Sequence, residues 1–412
     1  MKERSNILKV IERHVLRVLP CNWHRSIKDY RYRKNTEWNL RYVLEVLMAG
    51  ALTGCKTLRE VETLSEVYGG YRIPDTTLHD IMIRLDPEGL RQELARGVKQ
   101  ALREHELPKD VFPVRITAID GKYNYNTEQP VNAGSEVIEG GGDGKLFRHM
   151  ALRAFSVSSE TKLYLGQREI MSKGAEVKDL VPFIDDLQAL YGRTKLLEVI
   201  SIDAGMVSKD NAQQIVQRGL QYIMALKGGQ VRLCELAEKL FSLCQSPTHT
   251  EHERCNGKEI TRKLYRCLPE TVGGWEHLCE LWKVETDIYT NSSQQITRET
   301  RCFMTNLPQA TLSDKQVLQA VRMHWGIENN ANWCFDVHWQ EDTAPWTSRA
   351  MVLVSYLRMM AYNIVSRLRT RKFKAQNNRA MAWKDLFRYF EHALCSLRIT
   401  LEATGKAYPV FL

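Results

Sequence analysis

Several features are missing from this sequence of 412 residues, and each absence removes a class of protein. Its ten cysteines are scattered, and no two of them form a CxxC pair. Zinc ribbons and CxxC redox motifs are therefore not indicated, and a disulfide framework does not suit a chain of this length and spacing. This cysteine usage favours a reducing cytoplasm.

Long apolar runs are also missing. The longest, around Val43–Cys55 and Met351–Val365, are short for a membrane-spanning helix and contain Glu45 and Arg358. The N-terminal segment MKERSNILKVIERHVLRVL is interrupted by charges, unlike a signal peptide. We therefore expect buried helices, a cytoplasmic protein and no membrane partner.

Basic residues exceed acidic ones, at 58 Lys and Arg against 49 Asp and Glu, for a formal net charge of +9. This excess suits a polyanionic partner such as nucleic acid, although a basic cytosolic enzyme has the same balance. Two basic stretches, 25–41 and 366–379, are candidates for phosphate contact. The alternative for each is a solvated charged face.

Residues 1–110 are predicted to form a helical domain. Apolar residues from Ile7 to Leu19 recur at helical spacing. Two of the later helices flank YGGYRIPD, and this pair is either a helix-turn-helix or part of a plain helical bundle. The later helices are predicted near 40–54, 57–67, 76–84 and 87–104.

Residues 111–231 alternate between strand and helix patterns. Strand-like runs such as VFPVRITAID, TKLYLGQREI and LLEVISID are separated by amphipathic segments. The order β-β-β-α-β-α-β predicts a mixed α/β sheet with helices packed on it. Residues 123–146 are glycine-rich without a P-loop ending, so we predict a long flexible loop there.

Residues 232–311 are predicted to be a β-rich insertion, because they carry runs such as ITRKLYRCL and TRETRCFMTNL. Helical patterns return in 312–412. Ser313 and Gln316 predict a capping box at the start of the first helix there. This last part completes the mixed sheet domain and ends in a basic tail.

Two aspartates end apolar strands in similar contexts: Asp120 closes PVRITAID, and Asp203 closes LLEVISID. An acid there adds little to packing, so a functional site is one interpretation and a cap of the following loop is the other. Two-metal phosphodiester cleavage needs converging carboxylates around ions about 3.5–4 Å apart. Mg²⁺ keeps several waters, so three well-placed acids suffice.

A third acid must come from another part of the chain. On the helix that begins near residue 314, Glu328 shares a face with Val317, Val321 and Phe335. We therefore predict that Glu328 points along a largely buried stripe. A buried carboxylate needs a partner, which is either a metal ion or a nearby base such as His324.

Three blocks of the sequence resemble the insertion-sequence DDE transposases of the H-repeat-associated type. They are AIDGK, ISIDAGMVSKDNAQQIVQRGLQYIMALKGGQ and HWGIENNANWCFDVHWQED, and their order and spacing also match. LGQREIMSKGAEV, with Lys173 and Glu176, resembles that group's block between the two aspartates. The resemblance covers roughly residues 30–370.

The resemblance implies an RNase H-like catalytic core with a β-strand insertion, preceded by a helical domain. The resemblance also implies that Asp120, Asp203 and Glu328 are the catalytic, metal-binding triad. The implied cofactors are two divalent ions, Mg²⁺ or Mn²⁺; we assign Asp120 to both ions and the other two acids to one each. The implied partners are double-stranded DNA, as terminal inverted repeats and target DNA, and a second copy of the chain on paired ends. This predicts a nucleoid-associated location.

The surroundings of the glutamate depart from the broader superfamily. Its Tyr, Arg and Lys positions are occupied by Val321, His324 and Phe335, and the H-repeat-associated group also has His at the middle one. Other bases are therefore predicted to contact DNA. The predicted DNA-binding residues are Lys122, Lys173, Lys227, Arg322, His324, Arg367, Arg369 and Arg371.

Three functions follow from these observations. The first is a transposase that cleaves element ends and transfers the 3′-OH into target DNA. The second is a DNA-binding protein derived from such an enzyme that no longer cuts, and the intact acids argue against it. The third is a general nuclease without strand transfer. A metal-dependent nicking assay and a strand-transfer assay distinguish the three.

Overall fold

The computed structural model describes residues 2–19, 23–32, 38–69, 71–109, 112–127, 136–139, 145–269, 274–342 and 348–403. Ten strands in these ranges form a single sheet. The strands are β1 (Ile116–Thr127), β2 (Glu136–Glu139), β3 (Lys145–Ser156), β4 (Tyr164–Ile170), β5 (Val199–Ile202), β6 (Gln221–Leu226), β7 (His249–Cys255), β8 (Lys258–Cys267), β9 (Glu280–Thr290) and β10 (Gln295–Thr305).

The sheet is mixed, in the order β2-β3-β1-β5-β6-β10-β9-β8-β7, with β4 also paired to β3. β3 runs antiparallel to both β1 and β4, whereas β5 runs parallel to both β1 and β6. The strands from β4 through β1 to β6 therefore have the order and directions expected of an RNase H-like core. The predicted fold class is confirmed.

The predicted loop at 123–146 is wrong in part. β1 continues to Thr127, and β2 pairs with the beginning of β3 through Val137 and Phe147. Residues 128–135 and 140–144, which include most of the glycine run, lie outside the described ranges. The tyrosines after Asp120, at positions 123 and 125, suit a strand, and this pattern was hidden by the asparagine that follows each of them and the glycines beyond.

Helices precede the sheet, as predicted. Asn39 caps the second of them by accepting from the Arg41 N–H, and Gly54 ends it in the left-handed conformation (φ 78°). Asp86 caps the fifth helix by accepting from the Glu88 N–H, and Pro87 occupies the first helical position, where its missing N–H costs nothing. These helices are α1 (Lys2–Val18), α2 (Leu40–Thr53), α3 (Leu58–Gly69), α4 (Asp75–Met82) and α5 (Pro87–Arg103).

Three helices lie between the strands. The predicted β-rich insertion begins with one of them instead of a strand, because Leu233, Ala237 and Phe241 recur every four residues and are buried on one face. The strands of the insertion follow this helix. The helices are α6 (Glu176–Tyr191), α7 (Lys209–Gln217) and α8 (Val231–Ser242).

The C-terminal helices complete the fold. The predicted capping box is confirmed, since Ser313 and Gln316 each bond to the other's backbone N–H at the start of α9 (Asp314–Met323). After it, Ile327–Asn332 forms a π-helical turn. The remaining helices are α10 (Trp333–Trp339), α11 (Ser348–Arg367), α12 (Gln376–Arg379) and α13 (Trp383–Ala403). Among the described residues, no helix is long and apolar enough to cross a membrane.

A buried histidine joins the two ends of the chain. His14 in α1 lies 2.9 Å from the Ile364 carbonyl oxygen in α11, through its Nε2 atom. Burial lowers the pKa of His14 to about 3, and the positive charges of Arg367, Lys372 and Arg17 act in the same direction. The folded state therefore disfavours the protonated form.

We expect His14 to make the fold acid-sensitive. Because its folded pKa lies below its unfolded one, its contribution to stability is complete above the unfolded pKa and is lost as the pH falls towards the folded pKa. At pH 5 the loss is about 2 kcal/mol. Urea unfolding at pH 7 and pH 5 measures it, with His14→Gln as the non-titrating control. An equal pH dependence in both proteins would contradict the assignment.

Candidate active site

Strand pairing brings the two predicted aspartates together. Ile119 in β1 and Ile202 in β5 are register partners on adjacent parallel strands. Asp120 and Asp203 are the next residues of their strands, so their side chains leave the sheet at the same place and on the same face. Asp120 is half-buried, whereas Asp203 is exposed and caps a short turn by accepting from the Gly205 N–H at 2.9 Å.

Glu328 is exposed, and not buried as the helical periodicity predicted. Val317, Val321 and Phe335 are buried as expected, but Glu328 is exposed. The predicted buried stripe assumed one continuous α-helix, and the π-helical turn Ile327–Asn332 breaks its periodicity. Glu328 is therefore directed away from the core. π-Helical turns are frequent at functional sites.

A cavity of about 890 Å³ opens between the core and the inserted strands. Asp203 and Glu328 both line it, although they are 125 positions apart in the sequence. Its other wall comes from α8 and from β9 and β10, including Lys283 and Arg301. The cavity thus joins two of the predicted acids to basic side chains of the insertion.

The charges of the acids are coupled. Burial is the largest cause that raises the pKa of Asp120 to about 7, and the negative charges of Glu328, Asp203 and Glu176 contribute in that order. Asp120 is therefore within electrostatic reach of both predicted partners and of a fourth acid.

The donor set suits a divalent cation. It consists of carboxylates, which are preferred ligands of hard cations such as Mg²⁺ and Mn²⁺. A cation among them would remove the repulsion that raises the pKa of Asp120. Within the ranges described, no three His, Cys, Asp or Glu side chains are already arranged as a metal cluster.

Lys122 is held by an acid of the same region. Its Nζ atom lies 2.5 Å from Asp336 Oδ2 in α10, and burial of Asp336 raises the pKa of that carboxyl. The ion pair links β1 to the segment that carries Glu328. Contact of Lys122 with a phosphate would require this pair to open.

Two predicted DNA contacts near the glutamate need qualification. His324 is buried, lies 3.1 Å from Ser201 Oγ through Nδ1, and has its pKa lowered to about 4 by burial. A neutral, buried imidazole does not supply a positive charge to a phosphate, but His324 lines the cavity together with Asp203 and Glu328, so its contact with DNA stays a prediction. Arg322 is exposed, but it pairs with Glu251 and Glu253 of β7 at 3.3 and 3.4 Å.

The three arginines predicted in the basic tail contact the protein itself. Arg367 is 1% exposed and pairs with Glu106 and Glu104 at 2.5 and 3.1 Å, so its predicted contact with DNA is wrong. Arg369 lies over the ring of Trp383 at 4.9 Å. Arg371 donates to the Glu106 carbonyl oxygen at 3.0 Å. This basic stretch fastens α11 to α5 and its C-terminal turn.

Lys227 has the placement that the DNA-binding prediction requires. It follows β6, is exposed, and lines the same cavity as Asp203 and Glu328. Lys173 lies in the 3-10 turn before α6, and its side chain is outside the described residues.

Two features of the site escaped the sequence analysis. Arg301 lies over the ring of Trp325 at 4.2 Å, which joins the insertion to the glutamate segment across the cavity. Glu176 had been noted only within a sequence block, and its charge acts on Asp120. Neither has a local sequence signal, because each depends on residues that are distant in the chain.

Comparison with known proteins shows the family of the chain. A family model described as "Transposase DDE domain" matches residues 115–364, which contain all three predicted acids. This range extends from the start of β1 almost to the end of α11.

Relatives match over most of their length. The Escherichia coli (strain K12) protein YbfL is 24% identical over 385 residues, covering 86% of this chain and 92% of its own. The same figures hold for YhhI of that strain, named as a candidate H repeat-associated transposase. A solved piggyBac transposase synaptic complex with hairpin DNA has a TM-score of 0.45 at 12% identity, covering 97% of this chain and 82% of its own.

Proposed function

The chain belongs to the transposase DDE domain family, and from this we propose that it cleaves the ends of an insertion sequence and transfers their 3′-OH groups into target DNA. The observation that carries the proposal is that three acids from distant parts of the sequence, Asp120, Asp203 and Glu328, lie in one region of the fold. The first two leave adjacent parallel strands in register, and the third lines the same cavity as Asp203.

The three acids would hold two divalent ions, Mg²⁺ or Mn²⁺. When bound, such ions stabilise the attacking and leaving oxygens of an in-line displacement at phosphorus. The chain's own part is to fix the carboxylates. The sheet positions Asp120, the Gly205 N–H holds Asp203, and the π-helical turn presents Glu328.

DNA would enter the cavity from the side of Lys227. This lysine is exposed beside Asp203 and Glu328, and Lys283 and Arg301 line the opposite wall. Cations next to the acids would hold the phosphates on either side of the scissile bond. A second copy of the chain on paired ends remains part of the proposal.

Replacing Lys227 with Ala is expected to weaken DNA binding at every sequence to a similar extent. Loss of one phosphate contact should reduce the slope of log K against log salt by about one. Fluorescence anisotropy with a labelled duplex at several salt concentrations measures the slope. Lys239→Ala is the matched control, because Lys239 is an exposed lysine of α8 that does not line the cavity. Equal slopes in the two variants would refute this DNA path.

The proposed activity is tested with a supercoiled plasmid that carries the DNA flanking the reading frame on both sides. We expect nicks at the element ends with Mg²⁺ and none with EDTA. Pre-cut ends should then join to a second plasmid. Nicking without joining would indicate a general nuclease.

The alternative is a DNA-binding protein that no longer cuts. It predicts binding of the flanking DNA without nicking in either Mg²⁺ or Mn²⁺. The coupled acids speak against it, because such a cluster raises the pKa of Asp120 and has no evident use in DNA binding alone.

A further inference from the structure

Glu176 lies beside the proposed metal-binding acids without belonging to the triad. It is the first residue of α6, and it is 8% exposed. The first turn of α6 thus brings a fourth carboxylate close to the two aspartates, and the positions of two glycines show where it lies.

Two glycines show where its carboxylate lies. A Cβ atom on Gly121, the residue after Asp120, would lie 1.8 Å from Glu176 Oε1. A Cβ on Gly205, two residues after Asp203, would lie 3.7 Å from Glu176 Oε2 and 3.2 Å from Asp203 Oδ1. Glu176 thus occupies space that a side chain at 121 would fill, and its other oxygen faces the turn that Asp203 caps.

The backbone does not explain the glycine at 121. Gly121 is not among the described glycines with positive φ, so an alanine there would suffer no backbone strain. The collision would be with the Glu176 carboxylate and the Met150 methyl group. Glycine at this position therefore provides room for the Glu176 carboxylate next to the backbone of the residue that follows Asp120.

We propose that Glu176 is a fourth carboxylate of the divalent-cation site, beside Asp120 and Asp203. This inference rests on the proposed function. A divalent cation there would offset the repulsion among four acids, three of which are fixed to the sheet or to the first turn of a packed helix. Without Glu176, the site loses one negative charge and one oxygen donor, so its affinity for the cation falls.

The test measures Mn²⁺ binding to the full chain by isothermal titration calorimetry, without DNA. Glu176→Gln keeps the shape of the side chain and is expected to weaken binding by about tenfold or more. Asp179→Asn is the matched control, because Asp179 lies in the same first helical turn but pairs with Arg168 at 3.4 Å. Its affinity should equal that of the wild type.

The Asp120→Asn variant distinguishes a failure of the metal site itself from a failure of the role proposed for Glu176. Absence of wild-type binding, or full binding by Asp120→Asn, would overturn the metal site itself. Wild-type binding that is lost in Asp120→Asn but retained in Glu176→Gln would overturn only the role of Glu176.

Gly121→Ala provides a second, geometric test. It should displace the Glu176 carboxylate and weaken Mn²⁺ binding by a similar factor. The Gly121→Ala/Glu176→Gln double variant should then bind no more weakly than the weaker single variant, because both changes remove the same ligand. If the fold-losses in Mn²⁺ affinity of the two single variants multiplied in the double variant, the two residues would act separately and the proposal would be overturned.

Discussion

Replacing Asp120 with Asn is expected to abolish metal-dependent nicking of the flanking DNA. Asp120 is the residue on which the charges of the other three acids converge, and it lies on the sheet strand that fixes the site. Loss of its charge should remove about 4 kcal/mol of transition-state stabilisation, or roughly a thousandfold in rate. Gel assays of plasmid nicking with Mg²⁺ measure the effect.

The variant should fold and bind DNA normally. Asn has nearly the same shape and removes a half-buried charge that its neighbours repel, so we expect the free energy of unfolding not to fall. Asp185→Asn is the control, because Asp185 is an acid of α6 whose partner is Arg218, away from the cavity. Nicking at the wild-type rate by Asp120→Asn would eliminate the proposed site.

Replacing Arg153 with Met is expected to cost the largest amount of stability of any change considered. Arg153 and Glu341 are both fully buried, and two hydrogen bonds of 2.7 Å join them. Removal of one partner leaves an uncompensated buried charge, which costs about 3–5 kcal/mol. Urea denaturation measures the loss.

Two further variants make this prediction specific. The double variant Arg153→Met/Glu341→Leu should recover most of the lost stability, because no charge is then left unpaired. Arg218→Ala breaks a pair whose Asp185 side chain is 52% exposed, and it should cost less than about 1 kcal/mol. Equal losses in Arg153→Met and Arg218→Ala would mean that burial does not control the energy of these pairs.

This ion pair also supports the site. Arg153 in β3 is the register partner of Asp120, and Glu341 lies two residues after the end of α10. The pair therefore anchors the segment after Glu328 to the strand next to the catalytic one. Weaker nicking by the folded double variant would measure how much this anchoring contributes.

Local patterns were enough to predict much of the fold. The helices of the first hundred residues, the capping box at Ser313 and the end of β5 before Asp203 depend on neighbours within a few positions. These parts needed only short-range information. The pairing of Asp120 with Asp203 needed more: β3, β4 and α6 lie between their strands in the chain, and the family resemblance assigned the two acids to one site.

The parts that failed depend on distant contacts. Arg367 was predicted to contact DNA, but its partner Glu106 is 261 positions away, so no local pattern could reveal its burial. The exposure of Glu328 depends on a π-helical turn, for which sequence periodicity gives no warning. Glu176 approaches Asp120 through the space left by Gly121, and only the folded chain shows this.

The shared sheet has a structural consequence for the inserted strands. β10 pairs with β6 only through Cys302–Thr305, while its whole length pairs with β9. The β9–β10 hairpin is therefore attached to the core sheet through four residues at one end of β10, and its other end at Gln295 is exposed. β6 lies next to β5, the strand before Asp203, so continuous backbone pairing connects the inserted strands to the edge that carries Asp203.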